Sequence, residues 1–242
     1  MIYVGISSAG TLKRQVWGAT FVALVTVMFA APMCTAQVMQ KGIRVELATA
    51  SNAVASPDAD HEDSLIVTVT SNGSVFLGIT PSTPAALAEQ VKSRLSNRMQ
   101  KVYIKADARA PYADVLTVLG AASTAGVEAP ILLTTQQESA EPGTVVSPKG
   151  LEVLVGPPSP SGSVSTVVEV LNSGQRWPTL KINNEPIPWA ALESTLSKLL
   201  QSRSEKVVLV KANGLLPFAQ VVHVIDVCRS TEARVVLVTP EL

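Results

Sequence analysis

Self-similarity at a spacing of about 105 residues is the strongest constraint on this chain, since a fold built on it must accommodate two copies of one unit. Lys41-Gly42-Ile43-Arg44-Val45 returns as Lys149-Gly150-Leu151-Glu152-Val153, and Leu87, Val91 and Leu95 return as Leu192, Leu196 and Leu200. The stretch VYIKADARAPYADVLTVLGAAS from Val102 aligns without a gap on VLVKANGLLPFAQVVHVIDVCR from Val208. It keeps Lys105/Lys211, Pro111/Pro217, Ala113/Ala219, Val115/Val221 and Val118/Val224 identical. Ile131-Leu132-Leu133-Thr134 then pairs with Val236-Leu237-Val238-Thr239. The expected organisation is a first module over 41–135, a polar, turn-rich linker over 136–148, and a second module over 149–242.

Each copy reads as the same order of elements. Leu65 to Thr70 is β-branched and partly alternating, Asn72-Gly73 is a hairpin signal, and Val75 to Ile79 returns. Thr166 to Leu171, Ser173-Gly174 and Leu180 to Ile182 repeat that hairpin. Pro84 opens a helix whose apolar stripe is Leu87, Val91 and Leu95, and Trp189 to Leu200 is its counterpart. Val102 to Lys105 predicts a short strand. Pro111 then sits where a first helical turn tolerates it, with Val115, Val118, Leu119 and Ala122 as the buried face. A leading strand precedes each copy, Ile43 to Leu47 and Leu151 to Val155, and each could join its own sheet or the other's. Ala53 to Asp63 reads as a flexible stretch. The fold class is α/β (α+β): two small mixed sheets, each with two helices on one face.

Ahead of the first copy, Val16 to Met33 holds 18 residues without a charge, following Lys13 and Arg14. That length is at the short end for crossing ~30 Å of hydrocarbon. A basic flank, an apolar stretch and small residues at Thr35-Ala36 also fit a signal peptide, so the residues alone leave anchor and cleaved leader both open. Either one exports the remainder of the chain. Cys34 does not read as a lipidation site, because Ala31-Pro32-Met33 lacks the small residues expected before one.

Composition excludes several classes. With 19 Lys+Arg against 19 Asp+Glu, the chain has no electrostatic footprint for nucleic acid. Two cysteines and two histidines supply neither a zinc cage nor a disulfide framework. No nucleophile elbow, Walker loop or dinucleotide fingerprint occurs, so neither an enzyme nor a cofactor site is expected.

The run ending VTVMFAAPMCTAQ, the strand GIRVELATAS and the block VYIKADARAPYADVLTVLGAASTAGVEAPILLTT together resemble the ExbD/TolR family of biopolymer-transport proteins. The second copy's VVLVKANGLLPFAQVVHVIDVCRST resembles the same stretch of that family. The resemblance covers about 22–135 and about 149–239. It implies a cytoplasmic tail over 1–15, a transmembrane helix over 16–36 and C-terminal modules in the periplasm of a single-pass inner-membrane protein. It also implies an ExbB/TolQ-like membrane partner and a TonB/TolA-like protein moved at the expense of proton-motive force. Two features depart from the family's pattern. The site of its membrane-helix Asp falls at Gly18, with no carboxylate anywhere from Val16 to Met33. The chain also carries two modules where the family usually has one, so the usual homodimer would be built into one polypeptide, by intrachain rather than interchain pairing. The alternative is an exported periplasmic binding or scaffold protein without proton coupling.

The remaining clusters read as structural. Asp58, Asp60, His61, Glu62 and Asp63 lack the glycine and glutamate spacing of a calcium loop. His61 and His223 are isolated in sequence, and Cys228 reads as a buried packing residue on an apolar helix face. Asp107 and its counterpart Asn213 are expected to make local backbone bonds in a turn after a strand.

Overall fold

A computed structural model describes residues 43–96, 100–135, 147–156 and 165–239. The apolar run 16–36, with Gly18 and Cys34, lies outside the described residues, as does the linker from 136 to 146. Among the described residues no helix is long and apolar enough to cross a membrane.

In chain order the elements are β1 (Val54–Ala55), a 3-10 turn (Pro57–Asp60), β2 (Leu65–Val69), β3 (Val75–Leu77), β4 (Thr80–Ser82), α1 (Pro84–Arg94), β5 (Val102–Ala106), α2 (Tyr112–Thr124), β6 (Ile131–Thr134), β7 (Lys149–Glu152) and β8 (Leu154–Gly156). After these come β9 (Thr166–Leu171), β10 (Thr179–Ile182), β11 (Glu185–Ile187), a 3-10 turn (Trp189–Ala191), α3 (Leu192–Leu200), β12 (Val207–Ala212), α4 (Phe218–Ser230) and β13 (Arg234–Val238). One sheet runs β1-β7-β6-β5-β2-β3-β4 and the other β11-β10-β9-β12-β13-β8.

Within each sheet the same pairing recurs. Strand β5 lies parallel between β2 and β6, while β3 returns antiparallel on β2. Likewise β12 lies parallel between β9 and β13, while β10 returns antiparallel on β9. Each hairpin gains a short third strand, β4 or β11, that the sequence pattern does not announce. Pro81 and Pro186 sit in those strands, and proline is tolerated there because both are sheet edges, where a missing N–H leaves no partner orphaned.

Helices α1 and α3 each bury a single stripe, Leu87 and Val91 in one, Leu192, Leu196 and Leu200 in the other. Helices α2 and α4 bury a broader surface: Tyr112, Val115, Leu116, Val118, Leu119 and Ala122, against Phe218, Val221, Val222, Val224, Ile225 and Cys228. An amphipathic helix covering one sheet needs only a stripe, so a wider apolar arc means a second neighbour. Here that neighbour is the other half: the inner faces of both sheets and all four helices share one continuous core.

The outer faces differ. In the first sheet β2, β5 and β6 are buried on both sides, and a second cluster of Ile66, Tyr103, Ile131 and Leu133 packs under Ala59. The stretch 53–63, whose polarity suggests a flexible loop, therefore forms β1 and a 3-10 turn that cover this face. In the second sheet β9 alternates buried and half-buried residues, the pattern of a sheet covered on one side.

The leading segments also depart from expectation. Residues 43–50 make only isolated bridges, Leu47 to Asp107 and Thr49 to Thr135. The second segment divides between sheets: β7 pairs antiparallel with β6 and completes the first sheet, whereas β8 pairs parallel with β13 of the second. Gly150 permits the close pairing of β7, since a Cβ there would run into Ile131 Cγ2 and lie 3.0 Å from the Leu132 carbonyl oxygen.

Candidate functional site

The most specific geometry in the molecule lies where the halves meet. Pro111 and Pro217 precede α2 and α4, and neither helix has a side-chain cap. The first N–H groups of a helix have no partner within it. Here each helix start is capped by the turn of the opposite half. Tyr112 N–H donates to the Leu216 carbonyl and Phe218 N–H to the Ala110 carbonyl, both at 2.9 Å. Ala113 N–H donates to Gly214 and Ala219 N–H to Ala108, again at 2.9 Å. A bridge between Pro111 and Pro217 sits at the centre of this reciprocal set. Tyr112 and Phe218 occupy corresponding positions and are both fully buried. The approach is tight at Gly214, where a Cβ would stand 2.9 Å from that of Ala113.

The turns that present these carbonyls are held by Asp107 and Asn213. Asp107 Oδ1 accepts the Arg109 N–H at 3.0 Å, and Asn213 Oδ1 accepts the Leu215 N–H at 2.9 Å, the local backbone bonds expected of both. Asp107 does more. Arg109 Nε donates to Oδ1 at 3.1 Å, and the Glu46 N–H donates to Oδ2 at 3.2 Å, which ties the leading segment to the turn. Burial pushes the Asp107 carboxyl up, but the bonds from Arg109 and Glu46 together with the guanidinium charge outweigh it and hold the group below its ordinary value.

Asp226 escapes sequence reasoning. It is 6% exposed on α4, and its carboxylate accepts the N–H of Ser51 at 2.9 Å and of Asn52 at 2.7 Å. The Asn52 amide nitrogen donates to the Asp226 carbonyl at 3.1 Å. The available signal was a lone carboxylate inside VVHVIDVC, a charge on a stretch otherwise suited to burial.

The other candidates are dispersed. Among the described residues no group of three or more His, Cys, Asp or Glu could hold a metal ion. His223 is exposed and stacks on Trp189 with ring centroids 5.4 Å apart, beside Trp177, which meets Trp189 edge-on at 5.7 Å. Trp189 Nε1 donates to the Pro178 carbonyl at 2.9 Å, which fixes the indole. This aromatic group had no sequence signal, because its members are twelve and more residues apart. Cys228 is wholly buried and its thiol is pushed up to about 12 by desolvation, so it packs and does not react. Two shallow clefts, of about 250 and 430 Å³, are lined by Ser64, Ile66, Ile79 and Arg94 and by Lys198, Gln201, Lys206 and Glu232 respectively. Neither gathers convergent catalytic groups, so the best-built feature of the molecule is a junction between two halves.

Residues 19–137 match the family described as biopolymer transport protein ExbD/TolR. No curated protein and no solved structure gives a significant match.

Proposed function

We propose that this chain, whose residues 19–137 match the ExbD/TolR family, is a membrane-anchored subunit of an energised biopolymer-transport system. In this reading residues 16–36 anchor the chain in the inner membrane and residues 41–242 stand in the periplasm. An ExbB/TolQ-like protein is its membrane partner, and a TonB/TolA-like protein is the element it helps to move.

One observation carries the reading. The family match begins at residue 19, inside the apolar run Val16 to Met33, and continues to residue 137. The match thus runs unbroken from within the apolar run through β6 of the first sheet, a continuity that supports an anchor over a cleaved leader joined to an unrelated export. Carbonate extraction of membranes, with mass measurement of the mature N-terminus, tests it. Retention in the membrane with 16–36 intact supports an anchor. A soluble protein starting at Ala36 or Gln37 supports the exported scaffold instead.

The second half is read as a second copy of the same module, serving as a permanent partner for the first. The shared strand pairing and the reciprocal capping at Pro111 and Pro217 support this reading. A linker of 13 residues reaches at most ~45 Å, ample for two modules in contact. At the millimolar effective concentration set by such a tether, the pair forms within the chain before a second chain competes. Gly18 cannot ionise, and no residue from Val16 to Met33 carries an acid, so a carboxylate on another subunit would carry any proton.

A further inference from the structure

Among the described residues, residues 51–63 together with Leu47 cover the outer face of the first sheet, and 51–63 bury little apolar surface of their own. Ala59 is their single buried side chain, packed against Ile66, Tyr103, Ile131 and Leu133. Their backbone is held by the two-residue pairing of β1 with β7, a bond from the Ser56 N–H to the Pro148 carbonyl, side-chain bonds from Ser64 to the Ala59 carbonyl and from Gln100 to the Asp63 carbonyl, and the bonds of Ser51 and Asn52 to Asp226. Beneath lie polar groups that a tight apolar cover would not choose. The Tyr103 hydroxyl is buried without a hydrogen-bond partner among the described residues, and Lys105 is 2% exposed. Burial pushes the Lys105 amine down, with Asp60 of the cover acting in the opposite sense. Few buried apolar contacts and many exposed backbone groups are the marks of a segment that opens locally.

The start of this segment is fastened by the other half of the molecule. Asp226 on α4 takes the Ser51 and Asn52 N–H groups on its carboxylate and the Asn52 side chain on its carbonyl. The aligned position in the first half is Gly120, which has no side chain, so the fastening runs in one direction only. We propose that residues 51–63 are a releasable strap over the outer face of the first sheet, latched by Asp226 of the second half. The second half thereby controls access to a face of the first, and release bares Ile66, Tyr103, Lys105, Ile131 and Leu133 while the shared core stays closed. The latch depends on residues of this chain alone and stands or falls separately from the transport role.

Hydrogen exchange on the full chain tests it. In Asp226→Ala the amides of 51–63 exchange roughly tenfold to a hundredfold faster, while those of β5 and β12 keep their protection. Asp226→Asn, which retains an acceptor, falls between this variant and the unaltered chain. Unchanged exchange over 51–63 overturns the latch, and so does a uniform rise across 51–63, β5 and β12, because Asp226 would then support the whole fold. Should Asp226→Ala fail to fold, Ser51→Pro removes one donor from the strap side and gives the same two readings. A strap already unprotected in the unaltered chain also overturns the proposal.

Discussion

Replacing Gly214 by alanine probes the junction at its tightest point. The added Cβ would stand 2.9 Å from Ala113 Cβ, 3.5 Å from Ala113 Cα and 3.6 Å from Ala113 N. Carbon atoms rest at roughly 3.5–4.0 Å, so the turn must back away by about 0.6–1 Å. The Ala113 N–H to Gly214 carbonyl bond, now 2.9 Å, then stretches beyond ~3.5 Å, outside useful hydrogen-bonding range. Overpacking costs about 1–3 kcal/mol and a lost buried bond about 1 kcal/mol more. The expected destabilisation is therefore about 2–4 kcal/mol, equivalent to a fall of roughly 4–16 °C in Tm for a body of this size. Ala113→Gly removes the opposing Cβ at a cost of about 0.5–1 kcal/mol. Combined with Gly214→Ala, it should recover most of the loss, a coupling of about 1–3 kcal/mol between the two sites. Urea and thermal unfolding of the four proteins in this cycle provide the measurement. A Gly214→Ala protein within ~0.5 kcal/mol of the parent, or two effects that simply add, would show that the halves do not press together here.

The buried carboxylate of the opposing turn has a pH signature. Since Asp107 is held below its ordinary value, its stabilisation is complete above the unfolded value of about 3.9 and fades as pH falls through the lower folded value. Asp107→Asn should cost about 1–2 kcal/mol at neutral pH, and the gap should close in acid unfolding curves below pH ~4; a gap constant from neutrality to pH ~2 would contradict this. Cys228, buried with its thiol pushed up to about 12, should resist maleimide in the native protein and react once urea unfolds it.

Local signals carry far in this chain where one element answers to one neighbour. Pro84 and Pro111 mark helix starts because a proline without an N–H costs nothing there, and Asn72-Gly73 places the first hairpin, with Gly73 at φ +80°. Sequence patterns fall short where a residue's partner lies in the other half or another layer. Pro81 and Pro186 look like breakers, yet each sits in an edge strand. Leu151 to Val155 reads as one strand, although two sheets claim its two ends and Val153 is the pivot. The polar stretch 53–63 looks like solvated loop, and only the sheet face beneath it, with the remote acceptor Asp226, gives it a place. At the junction the sequence yields Pro111, Pro217 and the Asp107 and Asn213 turns. The reciprocal bonds between backbones are invisible to any side-chain pattern.

In the proposed assembly one chain supplies what two single-module chains otherwise provide. Native mass spectrometry of the complex extracted from membranes under mild detergent measures this directly. The expected spectrum contains a multi-span ExbB/TolQ-like protein with one copy of this chain, residues 16–36 still attached. Two copies of this chain per assembly, or a chain that leaves the membrane alone and without its N-terminal run, would contradict it.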